Sequence, residues 1–173
     1  MIRVDQQERR LKKRKDLFNY FAGFVEGEGC FSVSIKKFNR MKYGWVVDPM
    51  FSIYQHENNK NILELFKKEF QCGYIVSKSA KPEILVYVID NRKTLVEKII
   101  PFFDKYRFLG TKWNDFLLFK NIVFLMEQKK HLEKEGIIEI VNLAFQMNQQ
   151  GKGRKYTAKQ IISSLTESSE TTR

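Results

Sequence analysis

Phe21-Ala22-Gly23-Phe24-Val25-Glu26-Gly27-Glu28-Gly29 is the stretch on which the reading of this 173-residue chain turns. It closes a segment in which Leu17, Phe18, Tyr20, Phe21, Phe24 and Val25 recur at helical spacing. That spacing predicts a helix beginning at an N-cap, Asp16, and ending among Gly27 and Gly29. Gly23 and Gly27 share one face of it, with Ala22 beside them, and small residues so placed let two helix backbones approach closely. Each glycine inside a helix costs about 1 kcal/mol against alanine, which close packing would offset. Glu26 and Glu28 fall at the C-terminal end, where the helix dipole disfavours negative charge. A bound cation would relieve that; a solvated carboxylate pair at a frayed end is the plainer alternative, and the residues alone leave both open.

Outward from this stretch the pattern changes period. Phe31, Val33 and Ile35 alternate with Ser32, Ser34 and Lys36, which predicts a half-buried strand from Cys30 to Lys37. A basic loop carrying Asn39, Arg40 and Lys42 leads to a second strand, Trp45 to Gln55, with Val47, Phe51 and Ile53 opposite Asp48, Ser52 and Tyr54. Asn58 is a cap for a helix from Asn61 to Phe70, broken at Gly73. Tyr74 to Lys78 and Glu83 to Ile89 read as another strand pair, and Arg92 to Ile100 as a helix stopped or kinked by Pro101. A longer helix runs from about Thr111 to Lys134, interrupted by Gly136; one through Ile137 to Phe145 follows, then a short one from Ala158 to Leu165.

The order is α-ββ-α-ββ-α, one unit stated twice and followed by helices, which predicts an α+β fold with an antiparallel sheet. With helices on one sheet face, the other carries Ser32, Ser34, Lys36, Ser52, Tyr54, Tyr74 and Lys78. Such a face suits a DNA major groove, which admits a β-ribbon, and equally suits ordinary solvation.

Composition narrows the class. Lysine and arginine number 31 against 20 acidic residues, and 31 − 20 gives +11, which favours a polyanionic partner, nucleic acid before an anionic membrane. Hydrophobic content of 43% is that of a globular protein rather than a disordered or fibrous one. Cys30 and Cys72 are too few for a disulfide scaffold, and with His56 and His131 they offer no zinc-ligand spacing. No apolar run is long enough to span a membrane and no apolar signal core opens the chain, so the expected location is intracellular: a bacterial or archaeal cytoplasm, or a chloroplast or mitochondrion. Residues 1–15 read as a basic arm and 16–173 as a single domain with a C-terminal helical extension.

The nonapeptide resembles the signature of the LAGLIDADG homing endonucleases, matching at Ala22, Gly23, Gly27 and Gly29 and conservatively at the other five positions. The α-ββ-α-ββ-α order around it is that family's core. The resemblance implies a site-specific DNA endonuclease, intron-encoded, dependent on Mg²⁺ or another divalent cation such as Mn²⁺. The alternatives it carries are an intron RNA maturase, with host intron RNA as partner, or a cleavage-inactive nucleic-acid binder. A single motif copy implies a homodimer built on Phe21, Ala22, Gly23, Glu26 and Gly27. Position eight of the motif makes Glu28 the metal carboxylate, with the Gly27 carbonyl as a second ligand, while Glu26 supports the helix end. Gln55 matches a polar residue that orders active-site water, and Lys112 the active-site lysine, with Lys105 the fallback; Asn59 or Lys60 fills a further position. DNA contacts are expected from the sheet face and basic loop, from Val76, Glu83, Leu85 and Tyr87, and from Lys152, Arg154 and Lys155 gripping phosphate.

Overall fold

The computed structural model describes residues 2–148 and 154–167. Helix α1 (Ile2–Glu28) leads into strands β1 (Gly29–Lys37) and β2 (Trp45–His56). After a 3₁₀ turn (Glu57–Asn59) come α2 (Lys60–Phe70), β3 (Tyr74–Lys78) and β4 (Lys81–Ile89). The chain then runs through α3 (Arg92–Thr94), a π turn (Leu95–Ile99), α4 (Ile100–Lys105), α5 (Lys112–Glu127), α6 (Lys134–Ala144) and α7 (Ala158–Glu167). The strands form one antiparallel sheet in the order β1-β2-β4-β3, so the α+β expectation holds.

Three boundaries differ from those expected. Asp16 caps nothing, because α1 is already helical from Ile2. The preceding segment holds Gln, Glu, Arg, Leu and Lys without glycine or proline, all strong helix formers, so nothing stops the helix growing backward. Pro101 does not stop its helix, since α4 continues to Lys105; of the stop or kink expected, what stands there is a π turn just before it. A proline removes the N–H that would meet a carbonyl one turn back, and a π turn is one way to reroute that ladder. The break after α5 falls at Gln128–Glu133 rather than at Gly136, which lies inside α6. A Cβ at Gly136 would stand 2.1 Å from the Lys130 carbonyl oxygen, so the glycine lets the turn approach the helix.

Register assigns every strand residue to a face, since directly paired residues lie on the same side. Phe31 pairs Phe51, Val33 pairs Pro49 and Ile35 pairs Val47; Ile53 pairs Tyr87 and Phe51 pairs Ile89. This is the face the helices cover, and its aromatic centre is Phe31, whose ring lies 5.1–5.7 Å from those of Phe51, Phe103, Phe108, Phe116 and Phe119. Phe21 of α1 stacks on Phe66 of α2, ring centroids 3.9 Å apart. Burying large aromatics of this kind contributes a few kcal/mol each.

A second, smaller cluster joins Trp45, Ile137, Val141, Ile161 and Leu165, so α6 and α7 extend the core beyond the first hairpin. The Trp45 indole N–H donates to Ser164 Oγ at 2.9 Å. No helix among the described residues is long and apolar enough to cross a membrane.

Candidate active site and nucleic-acid interface

The C-terminal end of α1 passes directly into β1, so Glu28 is adjacent to Gly29, which pairs with Ile53 of β2. Gln55 stands two residues farther along β2 and accepts a hydrogen bond from the Asn59 amide at 3.0 Å. Lys112, the first residue of α5, donates its ammonium to the Gly29 carbonyl. Its positive charge thereby meets the negative end of the α1 dipole. Glu28, Gln55 and Lys112 therefore converge on one end of the sheet.

Lys105 lies over the Tyr106 ring and lines a surface groove with Arg14, Lys15 and Phe18, well up α1 from Glu28. Lys60 is paired with Glu64, whereas Asn59 is the residue that touches Gln55.

Glu26 has a different task from Glu28. Its carboxylate accepts the backbone N–H groups of Leu109, at 3.1 Å, and Gly110. It thus ties the end of α1 to the loop from which α5 and Lys112 start, and a Cβ at Gly110 would stand 2.7 Å from Glu26 Oε1. Gly23 and Gly27 are exposed, and a Cβ at either would meet open space within this chain. Phe21 and Ala22, expected at a subunit interface, are instead buried in the chain's own core.

The uncovered sheet face is mixed in character. Ser32, Ser34 and Lys36 of β1 lie on it with Asp48 and Tyr54 of β2 and Tyr74, Val76 and Lys78 of β3. Lys36 pairs with Asp48 at 2.8 Å, and the Lys78 ammonium lies 5.9 Å from the Tyr54 ring centroid. The basic-loop residues Asn39, Arg40 and Lys42 are exposed beyond the end of β1.

Several expected contacts are corrected. Leu85 and Tyr87 pair with Gln55 and Ile53 and face the helices; Tyr87 is fully buried and donates to the Cys72 carbonyl at 2.8 Å. Glu83 is exposed, at the irregular start of the β3–β4 pairing. Ile84, Val86 and Val88 take the open face instead. The run Ile84-Leu85-Val86-Tyr87-Val88-Ile89 is apolar at every position, so its sequence carries no phase. Ser52 does lie on the open side, paired with Cys30 and Val88, but it is fully buried and its hydroxyl has no partner among the described residues.

Arg154 is turned inward. Its guanidinium donates to the Val33 carbonyl at 2.7 Å and the Ala144 carbonyl at 2.9 Å, and lies over the Phe145 ring. Burial lowers its pKa. The Asn148 amide donates to the Phe31 carbonyl at 2.8 Å, so these two side chains close the free edge of β1. An unpaired edge invites pairing with another strand, and covering it removes that hazard. Lys155 is exposed, and Lys152 lies outside the described residues.

Sequence reading missed Asp90 and Arg92. They follow the end of β4, where β2 runs on toward Trp45 paired only with β1, and they join Ser34, Lys36, Asp48 and Met50 around a cavity of about 650 Å³. The Tyr74 hydroxyl donates to Asp90 Oδ2 at 2.7 Å, and that bond holds the phenol's pKa up. The only signal was a charged turn directly after a strand. Cys30, beside Lys112, has its thiol pushed up chiefly by burial.

Known proteins resemble this chain in sequence and in fold. The chain is 45% identical over 87 residues to the DNA endonuclease I-CeuI of Chlamydomonas moewusii, covering 50% of this chain and 40% of that protein. It spans only 24–40% of the length of three such curated relatives. An archaeal intron-encoded homing endonuclease, I-Vdi141I, solved in complex with DNA, superposes with a TM-score of 0.83 at 34% identity, covering 91% of this chain and 99% of that one. I-SmaMI bound to cleaved DNA superposes at 0.76 and 30% identity, covering 87% of this chain but 48% of that one. Residues 21–123, from the first residue of the nonapeptide into α5, match the LAGLIDADG endonuclease family, and this chain belongs to it.

Proposed function

We propose that the chain is one protomer of a homodimeric homing endonuclease that makes double-strand breaks at a long, pseudo-palindromic DNA site. The observation that carries this reading is the meeting of Glu28, Lys112 and the Gln55–Asn59 pair at one end of a sheet whose open face is lined by polar and basic side chains. Net charge of +11 supports a polyanionic partner, because each neutralised phosphate releases a counterion. Intron-encoded relatives support a role inside a cell or a DNA-bearing organelle.

Dimerisation answers a shortage within one chain. Among the described residues no group of three or more His, Cys, Asp or Glu is close enough to hold a metal ion. One protomer offers Glu28 and backbone carbonyls at the end of α1, Gly27 included; a second copy doubles that set. The open Gly23–Gly27 face is suited to receive a second α1, and Leu109, 98% exposed beside Glu26, adds apolar surface at that end. That this chain matches about half of the I-SmaMI chain supports two such units per functional assembly.

Family membership implies metal dependence, and the donors fit a hard cation: a carboxylate and backbone carbonyls are the oxygen ligands Mg²⁺ prefers. When bound, such an ion neutralises charge on the scissile phosphate and lowers the pKa of a coordinated water. Glu28 would hold the ion, Gln55 would orient water through its amide, and the Lys112 ammonium would stabilise charge developing on the phosphate. Hydrolysis needs no serine, cysteine or histidine nucleophile.

Glu28→Gln tests the assignment, since it removes charge at nearly constant volume. Plasmid cleavage with Mg²⁺ should fall by about 10³-fold or more, while duplex binding and the dimer seen by sedimentation persist. Wild-type cleavage by the variant overturns the role of Glu28. A wild type that binds DNA and never cuts would be a cleavage-inactive binder of the same fold.

A further inference from the structure

β4 ends at Ile89, opposite Phe51, so the stretch of β2 running back to Trp45 has β1 as its only strand partner. The turn after β4 occupies that vacant side and brings Arg92 to the rim of the cavity lined by Ser34, Lys36, Asp48 and Met50. Lys36 and Asp48 there neutralise one another, Asp90 on the same cavity accepts the Tyr74 hydroxyl, and the counter-ion of Arg92 lies behind it, on α5.

Arg92 is held rather than free. Its Nε donates to Glu127 Oε1 at 2.7 Å, and Nη1 lies 3.3 Å from His131 Nε2. The side chain is 38% exposed. Burial and the guanidinium itself lower the His131 pKa, which keeps its ring neutral at pH 7 and Nε2 able to accept. With Nε engaged by a carboxylate and one Nη1 hydrogen directed at His131, the outer edge formed by the second Nη1 hydrogen and Nη2 remains, and the plane of the guanidinium is already fixed. A fork pre-oriented in this way loses little side-chain entropy when it meets an acceptor pair.

We propose that Arg92 is a specificity-determining residue that reads the acceptor edge of a guanine in the major groove, with Glu127 and His131 as its positioning residues. This rests on the DNA-binding reading above. Ser34, on the same cavity, is five residues from Gly29 along β1; at ~3.3 Å per residue that is about 17 Å. The base pair it reads therefore lies about 5 base pairs out from the Glu28 end, at ~3.4 Å per pair.

The experiment uses the full chain as the dimer, binding a library of duplexes randomised across one half-site at several salt concentrations. Arg92→Lys keeps the charge and the reach to Glu127 but loses the planar fork, so folding is preserved. It should lower preference for guanine at one position about ten-fold and leave the other positions unchanged. Glu127→Gln, which leaves Arg92 in place but loosens it, should weaken the same position by a smaller factor. A uniform loss across all sequences, with the salt slope of Arg92→Gln reduced by about one, would make Arg92 a phosphate contact and overturn the proposal. An unchanged preference profile would overturn it too. Failure of the wild type to bind any duplex would overturn the DNA-binding reading and this proposal with it, whereas wild-type binding with insensitive Arg92 variants defeats this proposal alone.

Discussion

The two hairpins of the sheet are built from the same motif and treat their open face differently. The first, β1 with β2, is long and alternates cleanly: Ser32, Ser34, Lys36 and Asp48 point outward while Phe31, Val33, Val47 and Phe51 point to the helices. The second, β3 with β4, is shorter, carries a register irregularity at Ser77/Lys78, and sets Tyr74, Val76 and Lys78 on the open face beside Val86 and Val88, whose side chains are buried. A polar row discriminates bases by hydrogen bonds, whereas valine can sense only methyl groups and shape, and the Tyr74 hydroxyl is engaged by Asp90. The edges differ as well. The free edge of β1 is closed by Asn148 and Arg154, while β3 relies on brevity, a register shift and exposed lysine. The same fold thus supplies one half of its reading surface with chemistry and the other half with contour.

The sharpest way to break this comparison is Tyr87→Ala in the second hairpin. Tyr87 is fully buried and faces the helices, so its loss should cost about 3–5 kcal/mol in chemical denaturation. A near-neutral result would return Tyr87 to the open face and shift the phase of β4 by one residue.

Arg154→Ala comes next. It leaves the Val33 and Ala144 carbonyls without their donor, and should destabilise the first hairpin by about 1–3 kcal/mol. The slope of binding against salt should stay as in the wild type, because Arg154 is spent on the protein rather than on phosphate. A changed slope with intact stability would reverse that assignment.

A paired substitution sharpens the contrast in readout. Lys36→Ala should move stability by less than ~1 kcal/mol, since its ion pair with Asp48 is exposed, yet should alter preference at one base pair by about five-fold or more. Val76→Ala, at an exposed position of β3, should instead shift binding weakly and only at A·T positions. Equal effects from the two, measured on a randomised target library, would erase the distinction between the hairpins.

The smallest expected effect is at Ser52. Its hydroxyl is buried without a partner, so Ser52→Ala should be neutral or stabilise by about 1 kcal/mol, with base preference unchanged. A lost preference would show that Ser52 reaches DNA after all.

The difference between the hairpins also explains what was legible before folding. In β1, polar and apolar residues alternate, so the sequence carries both the strand and its phase, and every side chain from Phe31 to Ile35 faces as expected. In β4 the strand was legible from its Val, Tyr and Ile content, but an all-apolar run looks the same when turned over. Glu28 and Lys112 were legible through the motif and through a lysine at a helix start. That Lys112 meets the Gly29 carbonyl, one residue on from Glu28, was not, because 83 residues separate Lys112 from Gly29 and local pattern has no reach over that span.

By itself, then, the sequence determined the element order, the phase of the first hairpin, the small-residue face of α1 and the preference for a polyanion, since each depends on residue type and short spacing. The tertiary structure alone decided which side of β4 is covered, that Arg154 and Asn148 seal an edge, that Glu26 anchors the loop before α5, and that Arg92 is braced at a cavity on the open face. Each of these depends on groups far apart in the chain being brought within hydrogen-bond distance. Such contacts are selected by packing around the Phe31 core, and a strand's neighbours are absent from its own pattern of residues.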